Sequence, residues 1–159
     1  ATIEEVGLLN YIKTHSEEYT FIDRSIAKNE EEKRQIHAKA ILSDYYLMST
    51  NAFTMDGQLV NIDGNGNRVS ALCYGPKHVV IITGMNKLTP SVEDAYKRIR
   101  QDACPPNCVR LGLPTPCSKT GVCGDCMSAS SICDLFVTTR MSRYPDRIHI
   151  IMVGEELGY

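Results

Sequence analysis

The sequence predicts an α/β fold with a mostly parallel sheet flanked by helices. Amphipathic helical segments alternate with short apolar segments along the 159 residues, an order typical of βαβ units. Residues 78–83 are almost purely β-branched and apolar, the composition of a strand that is covered on both faces. A chain of this length is most simply one domain, residues 1–159, with a core of its own.

The first third predicts two helices and two short strands. Apolar residues recur every three to four positions over 3–14, which predicts an amphipathic helix. A short strand is expected at 19–22. A charged helix follows at 30–42, with Asn29 as N-cap and glutamates in its first turn. A second short strand is predicted at 44–48.

The remaining elements are a hairpin, two helices and three strands. The turn signal Asp56-Gly57 joins the hairpin strands at 52–55 and 58–62. The other predicted elements are a helix at 68–74, the strand at 78–83, a helix from Ser91 to about residue 103, and strands at 135–139 and 148–153.

Composition excludes several classes of protein. The net charge is −2, the basic residues are scattered and tryptophan is absent, so no nucleic-acid-binding face is expected. The longest apolar run, 79–82, is too short to cross a bilayer. The first residues show no signal peptide, so we expect a reducing cytoplasmic compartment in which disulfides are disfavoured. The chain begins at Ala1, as would a processed terminus, a cleaved tag or a fragment.

The most informative feature is a cysteine-rich loop at 113–134. Thiolates favour zinc, iron–sulfur clusters and Cu(I), and the C-x2-C spacing aims two sulfurs at one ion. The spacing therefore predicts a four-sulfur site for zinc or an iron–sulfur cluster, which spacing alone does not separate. Its ligands would be Cys117, Cys123, Cys126 and Cys133. Free thiols are the alternative.

Three other cysteines have simpler interpretations. Cys104 and Cys108 are candidate reserve ligands, although the two prolines between them favour a rigid spacer. Cys73 lies in an apolar helical register, which predicts a core position. The histidines are dispersed, and no catalytic residue can be identified from the sequence.

A glycine-rich loop between a strand and a helix is a candidate anion site. Glycines allow a tight turn, and freed N–H groups at a helix N-terminus can hold a phosphate or carboxylate. The dinucleotide fingerprint and the P-loop lysine are both absent. A purely conformational role for the glycines, with Asp63 as a cap, is an equal alternative. The candidate ligand-binding residues are Ser49, Thr50, Asn51, Asp63, Gly64, Asn65, Gly66, Asn67 and Arg68.

Several separated motifs in one order resemble the lactate-utilisation (LUD) domain family, in its cysteine-containing, stand-alone branch. They read STNAxTxDGxLxNxDGNGNR from Ser49, TPCxKTGxCxDC from Thr115 with a later Ile-Cys pair, and RIHxIxVGExLGY from Arg147. The resemblance runs from about Tyr19 to the C-terminus.

The resemblance implies a fold similar to the ribose-5-phosphate isomerase, glucosamine-6-phosphate deaminase and CoA-transferase group. It implies a role in oxidation of lactate to pyruvate beside partner proteins that carry iron–sulfur clusters. Relatives begin with an additional N-terminal βα segment that faces the same cleft, and this chain starts after it. If the chain is a fragment, the sheet edge left open there would favour a homodimer.

Two functions follow from these expectations. In the first, the protein is a redox-linked or accessory protein that acts on or senses a small carboxylate and has a four-cysteine metal or iron–sulfur site. In the second, it is an isomerase-like or CoA-transferase-like enzyme. That enzyme would bind a phosphorylated or acyl-CoA ligand at the DGNGN loop and use the cysteines as a structural zinc site.

Overall fold

The computed structural model describes residues 2–159, in which two sheets are flanked by helices. The α-helices are α1 (Thr2–Glu5), α2 (Leu8–Thr14), α3 (Glu30–Ile41), α4 (Asn67–Cys73), α5 (Val92–Arg98), α6 (Cys104–Arg110) and α7 (Pro116–Thr120). The strands are β1 (Tyr45–Met48), β2 (Ala52–Thr54), β3 (Leu59–Asp63), β4 (His78–Gly84), β5 (Leu88–Thr89), β6 (Leu135–Thr139) and β7 (Ile148–Val153).

The first sheet is parallel and has the order β1-β4-β7. The second has the order β5-β2-β3-β6, with antiparallel pairs on both sides of β3 and a parallel pair between β2 and β5. The predicted α/β class with a mostly parallel sheet flanked by helices is confirmed. The predicted hairpin at 52–62 is also confirmed, but the sequence did not indicate that it belongs to a separate sheet.

Two apolar clusters form the core. One lies between the second sheet and α5, whose side chains pack on β2 and β3, and it extends to the start of α6. The other joins the two sheets through Phe53 and Leu59 from the hairpin and Val79 and Ile81 from β4. Because β4 has a strand on either side and most of its side chains are buried, its apolar composition is explained.

Two predictions near the N-terminus are wrong. The single helix over 3–14 is interrupted at Gly7, whose φ of 73° is left-handed and separates α1 from α2. Residues 19–22 form no strand. Tyr19 and Phe21 remain exposed there, so the apolar composition of that segment reflects no sheet pairing.

Two predictions about cysteines are also wrong. Cys73 is exposed rather than part of the core. The segment from Cys104 to Cys108 is helical rather than a rigid spacer, because Pro105 and Pro106 lie in the first turn of α6, where an N–H has no intrahelical partner. A π-helical turn, Ile99–Ala103, connects α5 to α6.

The other elements agree with expectation. In α3 the side-chain oxygen of Asn29 accepts a hydrogen bond from the backbone N–H of Glu32 at 2.8 Å, as predicted for the cap. The strands predicted at 44–48, 78–83, 135–139 and 148–153 correspond to β1, β4, β6 and β7. No helix in residues 2–159 has the length and apolar content needed to cross a bilayer.

The C-terminal segment packs tightly against the end of β4 at Gly84. A Cβ at this position would lie 2.5 Å from the backbone nitrogen of Leu157 and 2.6 Å from the carbonyl oxygen of Glu155. We expect Gly84→Ala to lower the free energy of unfolding by about 1–3 kcal/mol, because backbone must move to admit the methyl group. Chemical denaturation measures this. Gly154→Ala is the control, since a Cβ there meets nothing within 4 Å; equal losses in the two variants would contradict the packing argument.

Candidate functional site

The candidate site lies at the carboxyl ends of the parallel strands β1 and β4, where β1 ends opposite Ile81 and β4 continues to Gly84. Met48 pairs with Ile81 in the register of these strands, so the segments that follow them emerge at one edge of the sheet. Ser49, Thr50 and Asn51 follow β1, and a 3₁₀ turn, Met85–Lys87, follows β4. In open α/β sheets this is the edge at which ligands bind.

Lys87 is the central side chain of this edge. Only 3% of its surface is exposed. Its ammonium donates to the hydroxyl oxygens of Ser49 and Thr2, each at 3.2 Å. Within residues 2–159 no ion pair joins Lys87 to a carboxylate. The ammonium therefore has neutral oxygen atoms as its hydrogen-bond partners, and the nearest acidic influence on it, that of Glu5, is not a direct ion pair.

Burial is the main cause of the lowered pKa of Lys87. It lowers the pKa of Lys87 to about 8, and the charge of nearby Arg98 lowers it further while Glu5 opposes the change. Near neutral pH the side chain is still mostly protonated. A buried cation of this kind is poised to bind an anion or to exchange a proton close to pH 8.

Arg98 connects the two segments that form the edge. Its Nε donates to the carbonyl oxygen of Asn86 at 3.0 Å and its Nη1 donates to that of Asn51 at 2.9 Å. These carbonyls follow β4 and β1 respectively, so one guanidinium from α5 holds both segments together. Like Lys87, Arg98 forms no ion pair among the residues described.

A buried amide network fixes the segment after β1. Asn61, which is fully buried, donates from Nδ2 to the Thr50 hydroxyl at 3.1 Å and accepts from the Asn51 backbone N–H at 3.2 Å. The Asn51 side-chain oxygen in turn accepts from the Ile62 backbone N–H at 3.1 Å. Thr50 and Asn61 are thus committed to internal hydrogen bonds, and they hold the segment that carries Ser49.

The glycine loop satisfies many of its own polar groups. Asp63 accepts from the Gly66 backbone N–H at 3.2 Å, and Arg68 Nε lies 3.3 Å from the other carboxylate oxygen of Asp63. Arg68 also donates to the Ile62 carbonyl at 2.8 Å and to Asn51 Oδ1 at 3.3 Å. Gly66 has the left-handed φ of 79° that the turn into α4 requires. The N-cap of α4 is Gly66, with no side-chain cap, so the cap expected from Asp63 is wrong; Asp63 instead closes the turn that precedes the helix.

The predicted binding residues thus divide into two groups. Ser49, Asn51 and Arg68 lie on the edge around Lys87 or in the network next to it, whereas Asn65 is exposed on the glycine loop. Lys87 and Arg98 were not predicted. A sequence signal for Lys87 did exist, since it follows the most apolar strand at the same edge that Ser49 occupies after β1.

The cysteines pair differently from the predicted quartet. Cys133 Sγ lies 3.4 Å from the Sγ of Cys104, and Cys117 Sγ lies 3.3 Å from the Thr115 hydroxyl oxygen. The contact with Cys104 lowers the pKa of Cys133 to about 7. Cys126 instead lies 3.9 Å from the Ser128 hydroxyl.

The positions of the cysteine thiols do not provide the four-sulfur metal site that the sequence predicted. Within residues 2–159 no three Cys, His, Asp or Glu side chains are already grouped to hold a metal ion. All seven cysteines are free thiols in this structure. The thiols as placed do not fit a preformed four-sulfur centre, and the metal site stays a prediction.

Comparison with known proteins gives one result. A family model described as LUD domain matches residues 1–153 of the chain. No curated protein and no solved structure matches the chain.

Because Asn61 is the centre of the buried amide network, its replacement should lower the stability of the protein. We expect Asn61→Leu to lower the free energy of unfolding by about 1–3 kcal/mol, because the Asn51 backbone N–H and the Thr50 hydroxyl lose a partner in the interior. Urea denaturation measures the loss. Asn65→Leu, in the exposed part of the glycine loop, should change stability by less than about 0.5 kcal/mol. A loss at Asn61 no larger than at Asn65 would show that the network does not stabilise the edge.

Proposed function

The chain belongs to the LUD domain family, and from this premise we propose that it serves lactate utilisation by binding a small carboxylate such as lactate or pyruvate. The proposed site is the sheet edge after β1 and β4. Binding or sensing of the carboxylate is the proposed activity, with no catalytic step assigned to this domain alone.

The observation that carries the proposal is the buried ammonium of Lys87. Removing a charge from water costs several kcal/mol unless an opposite charge and hydrogen bonds compensate for it. Lys87 has hydrogen bonds to two hydroxyls but no ion pair among the described residues. A carboxylate ligand would supply that negative charge and accept hydrogen bonds from both Lys87 Nζ and the Ser49 hydroxyl.

The ligand would enter by displacing α1. The Thr2 hydroxyl occupies one donor direction of Lys87, and it belongs to a helix of only four residues. Helices this short have little stability of their own. A carboxylate oxygen is a stronger acceptor than a hydroxyl, so it can replace Thr2 with a net gain in hydrogen bonding.

The two arginines have supporting roles in this proposal. Arg68 is paired with Asp63, and Arg98 donates to two carbonyls, so neither needs to contact the ligand. Their charges nevertheless raise the positive potential of the edge and favour an anion. Arg98 is a positioning residue, because it holds together the segments that carry Lys87 and Ser49.

The proposed metal or iron–sulfur site is supported by the cysteine spacing and not by a preformed group of ligands among residues 2–159. A zinc ion or an iron–sulfur cluster at Cys117, Cys123, Cys126 and Cys133 would require the loop to rearrange, and no step of carboxylate binding passes through it. Partner proteins with iron–sulfur clusters, a second copy of the chain and a cytoplasmic location remain part of the proposal. A reducing compartment suits a chain with seven free thiols.

A thermal-shift panel tests the carboxylate site. At a ligand concentration of one hundred times Kd, lactate or pyruvate should stabilise the protein by about 2.7 kcal/mol, or on the order of 5–10 °C in Tm. Lys87→Met should abolish the shift because the ligand loses its counter-charge. Lys77→Met is the matched control, since Lys77 is exposed and paired with Asp44 at 2.6 Å, and it should keep the shift.

The same panel includes phosphate, a phosphorylated sugar and an acyl-CoA. A shift with these ligands and none with carboxylates would favour the isomerase-like or transferase-like alternative. A full carboxylate shift in Lys87→Met would refute the site while leaving carboxylate binding intact.

A further inference from the structure

We propose that Cys104 and Cys133 form a redox-active dithiol, which closes reversibly to a disulfide by exchange with a small disulfide compound. The two sulfur atoms are 3.4 Å apart and join the first turn of α6 to the end of the cysteine-rich loop. This proposal is independent of the carboxylate site and concerns the metal-free protein, since Cys133 is also one of the four predicted metal ligands.

The geometry favours closure of this pair. A disulfide bond is about 2.05 Å long, so the sulfurs need to approach by only about 1.4 Å. Cys104 is buried in the apolar cluster around α5, and Cys133 packs against the same cluster. Both partners are therefore held near the bonding position by packing, which reduces the entropy lost on closure.

The sequence motif would have suggested a different pair. Cys123 and Cys126 have the C-x2-C spacing that is common in thiol–disulfide enzymes. In the structure no hydrogen bond joins these two thiols within the described residues, and the Cys126 sulfur lies near Ser128 instead. Between them Asp125 has a φ of 52° and pairs with Arg100. The geometry thus selects a pair that sequence spacing does not show.

The exchange has a defined order because the two thiols differ in exposure. Cys133 is partly exposed and Cys104 is buried, so Cys133 attacks the small disulfide first. One S–S bond breaks, one small thiol leaves, and a mixed disulfide forms at Cys133. Cys104 then attacks the Cys133 sulfur and releases the second small thiol. The protein loses two electrons and two protons, which the small disulfide gains as two thiols.

Closure would act on the glycine loop. The backbone N–H of Asp134 donates to the Asp63 carbonyl at 3.1 Å, and a Cβ on Gly64 would lie 3.0 Å from the Cα of Ile132. The residues on either side of Cys133 therefore rest on the loop that carries Asp63. Linking Cys133 to α6 would restrain that loop, whereas the open dithiol leaves the cysteine-rich segment free to rearrange.

Disulfide mapping of the full chain tests the proposal. Metal-free reduced protein is equilibrated with oxidised and reduced glutathione, its remaining thiols are blocked, and it is digested with trypsin. Cys104 falls in fragment 101–110 and Cys133 in fragment 120–140, which also holds Cys123 and Cys126. We expect the two fragments to be recovered as a linked pair that reducing agent separates.

Alanine variants of single cysteines identify which two sulfur atoms form the disulfide. Cys108→Ala should keep the linked pair, whereas Cys104→Ala, four residues away on the same helix, should lose it. Cys133→Ala should lose it too, and circular dichroism confirms that each variant is folded. A link within fragment 120–140 between Cys123 and Cys126, a linked pair that survives Cys104→Ala, or glutathione adducts alone would each overturn the proposal.

Discussion

A cation that has no ion-pair partner among the described residues, buried at the carboxyl ends of two parallel strands, is the constraint around which the rest of the site is organised. Lys87 is placed there by the turn after β4, and its hydrogen bonds go to hydroxyls from the segment after β1 and from α1. Arg98 ties the two strand-end segments together from α5. Burial of this charge is unfavourable without an anion, and that cost is the physical reason to infer a ligand.

Much of the scaffold could be predicted because it depends on local pattern. The apolar run of β4, the Asp-Gly turn of the hairpin and the Asn29 cap each act within a few residues, and the structure contains all three. The predictions of secondary structure were wrong where one or two residues decide the local backbone conformation against the surrounding sequence pattern. Gly7 interrupts a helical pattern, and two prolines that suggested a rigid spacer instead begin α6.

The site was predicted only in part, since it depends on contacts between distant segments. Ser49 and Asn51 were predicted because they follow a strand, but nothing local reveals that Lys87 is buried, because its partners are 38 and 85 positions away in the sequence. The cysteines show the same limit. Sequence proximity grouped Cys133 with Cys123 and Cys126, whereas the fold brings this loop residue to Cys104, 29 positions away at the start of α6.

The acidity of Lys87 offers the most direct test of the central claim. Its pKa can be followed through the Cε chemical shift in ¹³C-lysine-labelled protein, with the signal assigned by its absence in Lys87→Met. We expect a pKa of about 8 for Lys87 in the free protein and a rise when lactate or pyruvate is bound, because the carboxylate stabilises the ammonium form. A pKa near the ordinary 10.5, or one that no carboxylate changes, would contradict it.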